Sequence, residues 1–508
     1  MRILLPLNRG LAFICVMSAT MMCAPAAFGC DRLPAGQSLW IRLAAPVSTY
    51  TAKVGDPVHA VLTQDLVCDN DVVLPMGATV DGVVRSKRKV GWGIRHETAA
   101  LELEFNRAIA GPGAVITLTA RVEEVENARE LVRNGVIQGI RSSDTFQGSI
   151  NSHLIHLPTW NLYPYSDPVL IAYKATFPIF PEPEIYYPVG TDIHLRTTSE
   201  VSCPPEMVGT VHESSPADKE ETDRLDQLVD HLPWRVTTKK DVDADLLNLV
   251  FIGSEDQVKA AFRESGWHNA EHVSRRTVWK QFYSLLNNSG YAQQPMITFY
   301  LNSKPEDMNW QRNLNSYGRR DHLRMWEWTP EDSGERMWVG SSTHDSGAVL
   351  SVKYRGFVHH ISPDVDDERS AVIRSLNFAG CVKSVNYVLN PEMRALTHNA
   401  IGDVMVTDKS VAVIALRDCR PADPELDSNS KGGIFKPGNY AFRYIRKQIL
   451  TFRSDILRAN IIYGAYEAGR MAVTALRHQP APPQPSGPMV ASPRVQPAAS
   501  EVGQVSYP

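Results

Sequence analysis

No run of about 20 apolar residues occurs in this 508-residue chain, so no segment reads as a membrane-spanning helix. Positive charge is not in surplus either. Lys and Arg number 52 against 56 Asp and Glu, which argues against general nucleic-acid binding, since that usually shows a basic patch. A Gly-rich phosphate loop, an HExxH zinc helix and a GxSxG nucleophile elbow are all missing, which removes three common routes to catalysis. Seven cysteines are present, none in a CxxC or zinc-like spacing. Apolar content of 43% and charged content of 21% are ordinary for globular domains, and the length suggests roughly two or three of them.

The N-terminus is the first positive feature. Arg2 and Arg9 flank the start of an apolar core, Leu11–Cys23, and Ala27-Phe28-Gly29 supplies small residues where a signal peptidase reads. Residues 1–29 are therefore expected to be a cleaved signal peptide, placing the mature chain in the periplasm or outside the cell. Gly29-Cys30 also fits the end of a lipobox, which would make the protein a lipoprotein through Cys30; Phe28 suits that motif poorly. Cleavage removes two arginines and no acid, so the formal charge moves from −4 to −6. Five cysteines remain, and export makes disulfides plausible: Cys30 with Cys68 or Cys203, and Cys381 with Cys419.

Residues 30–203 read as an all-β domain, barrel-like or sandwich-like. Short β-branched and apolar runs are broken by Gly, Pro and Asp, and one element recurs. Pro34-Ala35-Gly36, Pro75-Met76-Gly77 and Pro188-Val189-Gly190 each precede a strand by a few residues. In each copy Pro sets φ for a turn and Gly permits positive φ. The third copy lies more than a hundred residues beyond the second and is expected to return and close the first sheet. Between them, residues 126–185 form a Pro-rich insertion; Trp160, Tyr163, Tyr165, Tyr173, Phe177 and Phe180, with Tyr186 and Tyr187 just beyond, either bind glycans or partners or pack on the barrel. Residues 204–232 read as a polar linker ending in a short helix, Thr222–Leu232.

Residues 233–420 mix strands and helices, so the whole chain is expected to be multidomain α+β. Asp245–Gly253 reads as a buried strand, and Ser254 with Gln257 as the capping box of the next helix. Further strands are expected at Met296–Leu301, Leu323–Trp328, Met337–Ser341, Val349–Tyr354, Phe357–Ile361 and Val411–Leu416. Ser362-Pro363 reads as N-cap and first position of another helix. Residues 421–477 hold a helical segment dense in Arg, expected to dock on the second domain, and residues 478–508 a disordered Pro-rich tail.

Two stretches of the second domain are unusually dense in His, Arg and carboxylate: Asp321-His322-Leu323-Arg324-Met325-Trp326, and His359-His360-Ile361 followed by Asp367-Glu368-Arg369. Together with Leu232-Pro233-Trp234-Arg235, Asp245–Gly253 and Ala261-Phe262 before Gly266-Trp267, they resemble the LssY C-terminal family. The resemblance implies an LssY-type α+β domain and no defined reaction. The membrane phosphatase module that accompanies such domains is not found here, so that activity is not implied.

Strand alternation puts His322, Arg324 and Trp326 on one face, and lets only one of His359 and His360 join them. The candidate polar site is His322, Arg324, Asp345, His359, His360, Asp364, Asp367, Glu368 and Arg369. Two functions follow. One is an exported, cell-envelope-associated interaction or structural protein that meets envelope or secretion-associated partners. The other is an extracytoplasmic hydrolase using a divalent metal, with His322, His360 and Asp364 as candidate ligands. A structural cluster explains the same residues, because acids at a helix start suit the helix dipole. Arg324 is expected within ion-pair range of Asp367 or Glu368.

Overall fold

The computed structural model describes residues 32–68, 71–110, 115–141, 145, 181–202, 209–210, 219–328, 336–351, 356–420 and 440–459. The signal-peptide region, Cys30, Cys203, the rings from Trp160 to Phe180, most of the linker and the Pro-rich tail lie outside them. The chain is multidomain and mostly β, with a six-stranded barrel and five helices among the described residues.

The barrel strands are β1 (Ser38–Leu43), β2 (Pro57–Leu62), β3 (Thr79–Arg88), β4 (Ala100–Ile109), β5 (Val115–Val125) and β6 (Asp192–Thr197). All pair antiparallel in the order β4-β3-β2-β1-β6-β5, and β5 pairs again with β4 to close the ring. Buried residues alternate along β3 and β4, as one inward face requires, and fill a core from Leu39, Ile41, Val80, Leu103, Phe105 and Leu195. The third Pro-x-Gly copy does return: β6 lies between the first strand and β5. Gly36, Gly77 and Gly190 have φ of 97°, 87° and 85°. Each donates its N–H to the end of a neighbouring strand, at Thr197, Leu62 and Leu43. A fourth copy without the leading Pro, Lys53-Val54-Gly55, enters β2 the same way, with Gly55 at φ 89° donating to Val84.

The second domain is built on a seven-stranded sheet. Its strands are β7 (Leu249–Ile252), β8 (Met308–Arg312), β9 (Arg320–Glu327), β10 (Met337–Ser351), β11 (Gly356–Ile361), β12 (Val382–Leu389) and β13 (Ser410–Leu416). The order is β8-β9-β10-β7-β13-β12, with β11 added to β10 and only β7–β13 parallel. The helices are α1 (Lys219–Asp230), α2 (Glu255–Glu264), α3 (Arg275–Asn287), α4 (Val365–Phe378) and α5 (Tyr440–Ala459). Helices α2 and α4 share a core with Phe251, Leu323, Met325 and Trp338, whereas α1 packs with Val250, Trp326 and Val339 of the opposite face. Cys381 and Cys419 form the expected disulfide, and Cys68 is disulfide-bonded as well.

Several local expectations are corrected. The described parts of the strands expected at Met337–Ser341 and Val349–Tyr354 belong to one 15-residue strand, β10. Met296–Leu301 contributes only Tyr300–Leu301 to a sheet. Asp364, not Ser362, caps α4, accepting from the N–H groups of Asp366 and Asp367 at 3.0 and 3.2 Å. Carboxylate caps are strong acceptors, and this one moves the helix start past Pro363. Strands β8 and β12 and helix α3 were not anticipated.

The C-terminal helix docks on the barrel domain, not on the second domain. Arg446 is 1% exposed and meets Glu182 at 2.6 and 2.7 Å, Glu184 at 3.2 Å and the Gly91 carbonyl at 2.5 Å. Leu450 joins the barrel core and Phe442 meets Trp92 edge-on. A buried guanidinium requires carboxylates, and the pair it finds follows the insertion. No helix among the described residues is long and apolar enough to cross a membrane. Met1–Ser149 and Pro178–Leu450 belong to one compact unit.

Candidate functional site

Strand β9 sorts its side chains between two polar sites. Leu323 and Met325 face α4, and Trp326 faces the opposite core, so His322 and Arg324 lie on the Trp326 side and Asp321 on the α4 side.

On the first face Asp345 of β10 is the centre. It is 2% exposed and accepts from Arg320 Nε at 2.7 Å; Arg320 also reaches Gln311 at 2.9 Å. His322 Nδ1 lies 3.5 Å and His359 Nδ1 3.4 Å from the same carboxylate, and neither nitrogen makes a directed hydrogen bond. The other nitrogens face Thr343 at 2.8 Å and the Gln294 amide at 3.3 Å, and Tyr317 packs on the His359 ring. Burial pushes His322 down to about 3 and His359 to about 4, so both rings are neutral at pH 7. Asp345, although burial opposes its charge, is held well below the usual carboxylate range by His322 and Arg320.

Arg324 sits beside this group but does not meet the acids of residues 364–368. Its partners are Asp245 at 3.5 Å, the Ile297 carbonyl at 3.0 Å and the Phe299 ring at 4.1 Å. The expected pairing with Asp367 or Glu368 fails because α4 packs on the other face of the sheet. Burial raises Asp245 to about 6, Arg324 opposing.

The other expected site residues separate. His360 points away from His359 and pairs with Asp403 at 2.6 Å. Asp364 caps α4 and Asp367 is exposed; Arg369 binds Asp408 at 2.9 and 3.0 Å and Asp366 at 3.1 Å. His322, His360 and Asp364 thus have separate partners, and the metal set expected from the sequence is not assembled.

Glu368 belongs to a second cluster, at the seam with the barrel. Asp321 accepts from His344 Nδ1 at 2.8 Å and from Asn127 of the barrel at 2.7 Å. Asp192 of β6 accepts from Arg42 of β1 at 2.6 and 2.9 Å and from Arg312 of β8. Glu126 accepts from Arg374 of α4 at 3.1 Å. Cations also stack across the seam, Arg374 3.7 Å over Trp40 and Arg42 4.7 Å over Phe378. Burial raises Glu126 to about 7, and it raises Glu368 well above the usual value, with Asp321 and Glu126 adding to the effect. Asp321, His344 and Glu368 each offer one atom within 4.8 Å of the others, and among the described residues they are the group of that kind.

Asp321 belongs to the dense motif on β9, but strand alternation places it on the face opposite His322 and Arg324. Glu126, Asp192, Arg312 and His344 carried no sequence signal, because each is an isolated charge until the domains meet.

No curated protein matches the chain. Among solved structures, ComB10 of the Com type IV secretion system of Helicobacter pylori is 13% identical, covering 36% of this chain and 97% of its own, with a TM-score of 0.21; nothing is built on so slight a likeness. Residues 229–411 match the family model described as LssY C-terminus, and the chain therefore carries an LssY-like C-terminal domain.

Proposed function

We propose that this chain is an exported, cell-envelope-associated interaction module, with a barrel and an LssY-like domain joined as a rigid support. The observation that carries this reading is the exposed face of α3. Val278, Trp279, Phe282 and Tyr283 fall at the spacing of one helix face, and Trp279 is 64% exposed. Large aromatic residues left in water on one face mark a contact surface. Arg275, Arg276 and Lys280 flank them and the helix has no acid, so the fitting partner is an envelope protein offering an apolar patch with an acidic rim. Most of the sequence-marked polar residues, by contrast, are buried among protein partners: His322, Arg324, Asp345, Glu368 and Arg369. An open cavity of about 440 Å³ on the barrel, lined by Arg121, Glu123, Asn134 and Arg196, contains none of them.

A metal-dependent hydrolase is the second reading, favoured by the two neutral imidazoles on Asp345. The two are separated by one pair of measurements, the first in the bacterium that makes the protein and the second on the purified chain. A photo-crosslinker at Tyr283 is expected to give a discrete adduct with an envelope protein, lost in the Trp279→Ser/Phe282→Ser variant. Hydrolysis of model esters or phosphodiesters by the purified chain, lost in Asp345→Asn, would instead overturn the interaction reading.

A further inference from the structure

The seam holds more negative charge than its own cations satisfy. Three buried carboxylates, Asp192, Asp321 and Glu368, and the nearly buried Glu126 face three guanidiniums, Arg42, Arg312 and Arg374, besides the His344 imidazole. The guanidiniums are committed: Arg42 and Arg312 to Asp192, Arg374 to Glu126, with Arg312 also 3.3 Å from Glu126 Oε2 and giving a further bond to Ser375 at 3.0 Å. Asp321 is served by His344 and Asn127. Glu368 receives no hydrogen bond, only the longer-range attraction of Arg374 and Arg312. It is 3% exposed, and its Oε1 is buried with no hydrogen-bond partner, although it lies within ligand range of Asp321 and His344. A bare carboxylate in such a place costs several kcal/mol, so something positive must be able to enter.

We infer that Asp321, His344 and Glu368 form a divalent-cation site at the seam between the barrel and the LssY-like domain. One imidazole nitrogen with two carboxylate oxygens is the donor set of a borderline cation of the zinc class, rather than of the all-oxygen cages that suit calcium. The three ligands come from β9, β10 and α4, three elements that the core of Leu323, Met325, Val372 and Leu376 already holds together. A fourth ligand would be water or the nearby Glu126 carboxylate, whose Oε2 makes no directed hydrogen bond and lies 3.3 Å from Arg312. Asn127 orients Asp321 from the barrel side, as an outer partner orients a ligand, so that metal occupancy and domain docking support one another. This site shares only Glu368 with the candidate polar site read from the sequence, and lies on the opposite face of the sheet from His322 and Asp345.

A proton on Glu368 would neutralise it as well, and the experiment separates the two. The purified full-length chain is stripped with a chelator, titrated with zinc chloride by calorimetry, and its thermal unfolding is followed with and without the metal. One equivalent is expected to bind and to raise Tm. Glu368→Gln keeps the shape and removes the charge, so its metal-free form should unfold no earlier than the metal-free wild type. It should bind zinc more weakly by more than the ~10–100-fold that loss of an outer-shell partner costs. X-ray absorption of the wild-type zinc complex, which needs no variant, should show a mixed nitrogen and oxygen shell. Absence of zinc binding by the wild type, equal binding by Glu368→Gln, or a sulfur-rich shell would each overturn the cation site; the first outcome would leave the proton as the neutralising charge.

Discussion

Asp345 organises one face of the LssY-like domain because three cationic or cation-capable side chains, Arg320, His322 and His359, converge on a carboxylate that water does not reach. Asp345→Asn leaves Arg320 buried with only Gln311 opposite, and is expected to cost on the order of 3–5 kcal/mol in denaturant unfolding. The two imidazoles set the acid side of the stability profile. Their values, about 3 and 4 against the ordinary 6.5, are depressed by burial, so below pH 6.5 the unfolded chain binds protons that the native chain does not. That contribution is complete above pH 6.5 and is lost as pH falls toward 4. Glu126 acts with the opposite sign: burial raises it from 4.5 to about 7, so its cost to stability develops as pH rises between those values. Thermal melts across pH 4–8 should therefore show a shallower acid-side loss for His322→Gln, and a smaller decline between pH 5 and 7 for Glu126→Gln. An unchanged profile in both variants would contradict this assignment.

At the scale of elements, the barrel is punctuated by one turn used four times, and its glycines matter through backbone angle. A Cβ at Gly77 or Gly190 would meet nothing within 4 Å, so Ala there should cost only the left-handed conformation, about 1–2 kcal/mol, and Asn should recover part of it. Gly82 differs, because a Cβ would lie 2.5 Å from the Glu104 carbonyl at a bulge between β3 and β4; neither Ala nor Asn should be tolerated. Urea midpoints for the three positions test the distinction. The same local logic explains which elements were legible. The Ser254–Gln257 capping box announced α2, whereas α3 starts with a Ser274–Thr277 box, two arginines and no acid, and turns its aromatic face to solvent. Strand β12 was hidden because it is only partly buried, so its polar residues interrupt the apolar pattern.

For the whole molecule the decisive feature is the charged seam. Residues 204–232 read as a linker between independent domains, but Asn127–Asp321, Asp192–Arg312, Glu126–Arg374, Arg319–Glu124 and Asn315–Glu130 tie them together. Apart from the exposed Arg319–Glu124 pair, these contacts are buried or nearly so and are screened little by salt. Limited proteolysis is expected to cut first between about residues 205 and 221, yet the nicked halves should co-elute at neutral pH even in high salt. Separation under those conditions would mean that the seam does not hold the domains.

Much of this was determined by the sequence alone, and for one reason: the features concerned are local. A φ-specifying Pro-x-Gly turn, a capping box, alternation along Asp321–Trp326 and the LssY-like segments each act within a few residues. The return of Pro188–Arg196 to the first sheet followed from the repetition of such a turn. Tertiary structure decided which charges meet. Arg324 found Asp245 and not the acids of α4, Arg446 found Glu182 and Glu184 on the barrel, and Glu368 came to rest beside Asp321 and His344. A charge has no preferred partner in sequence; desolvation makes pairing necessary, and only the packing of sheet, helix and barrel determines which opposite charge is within reach.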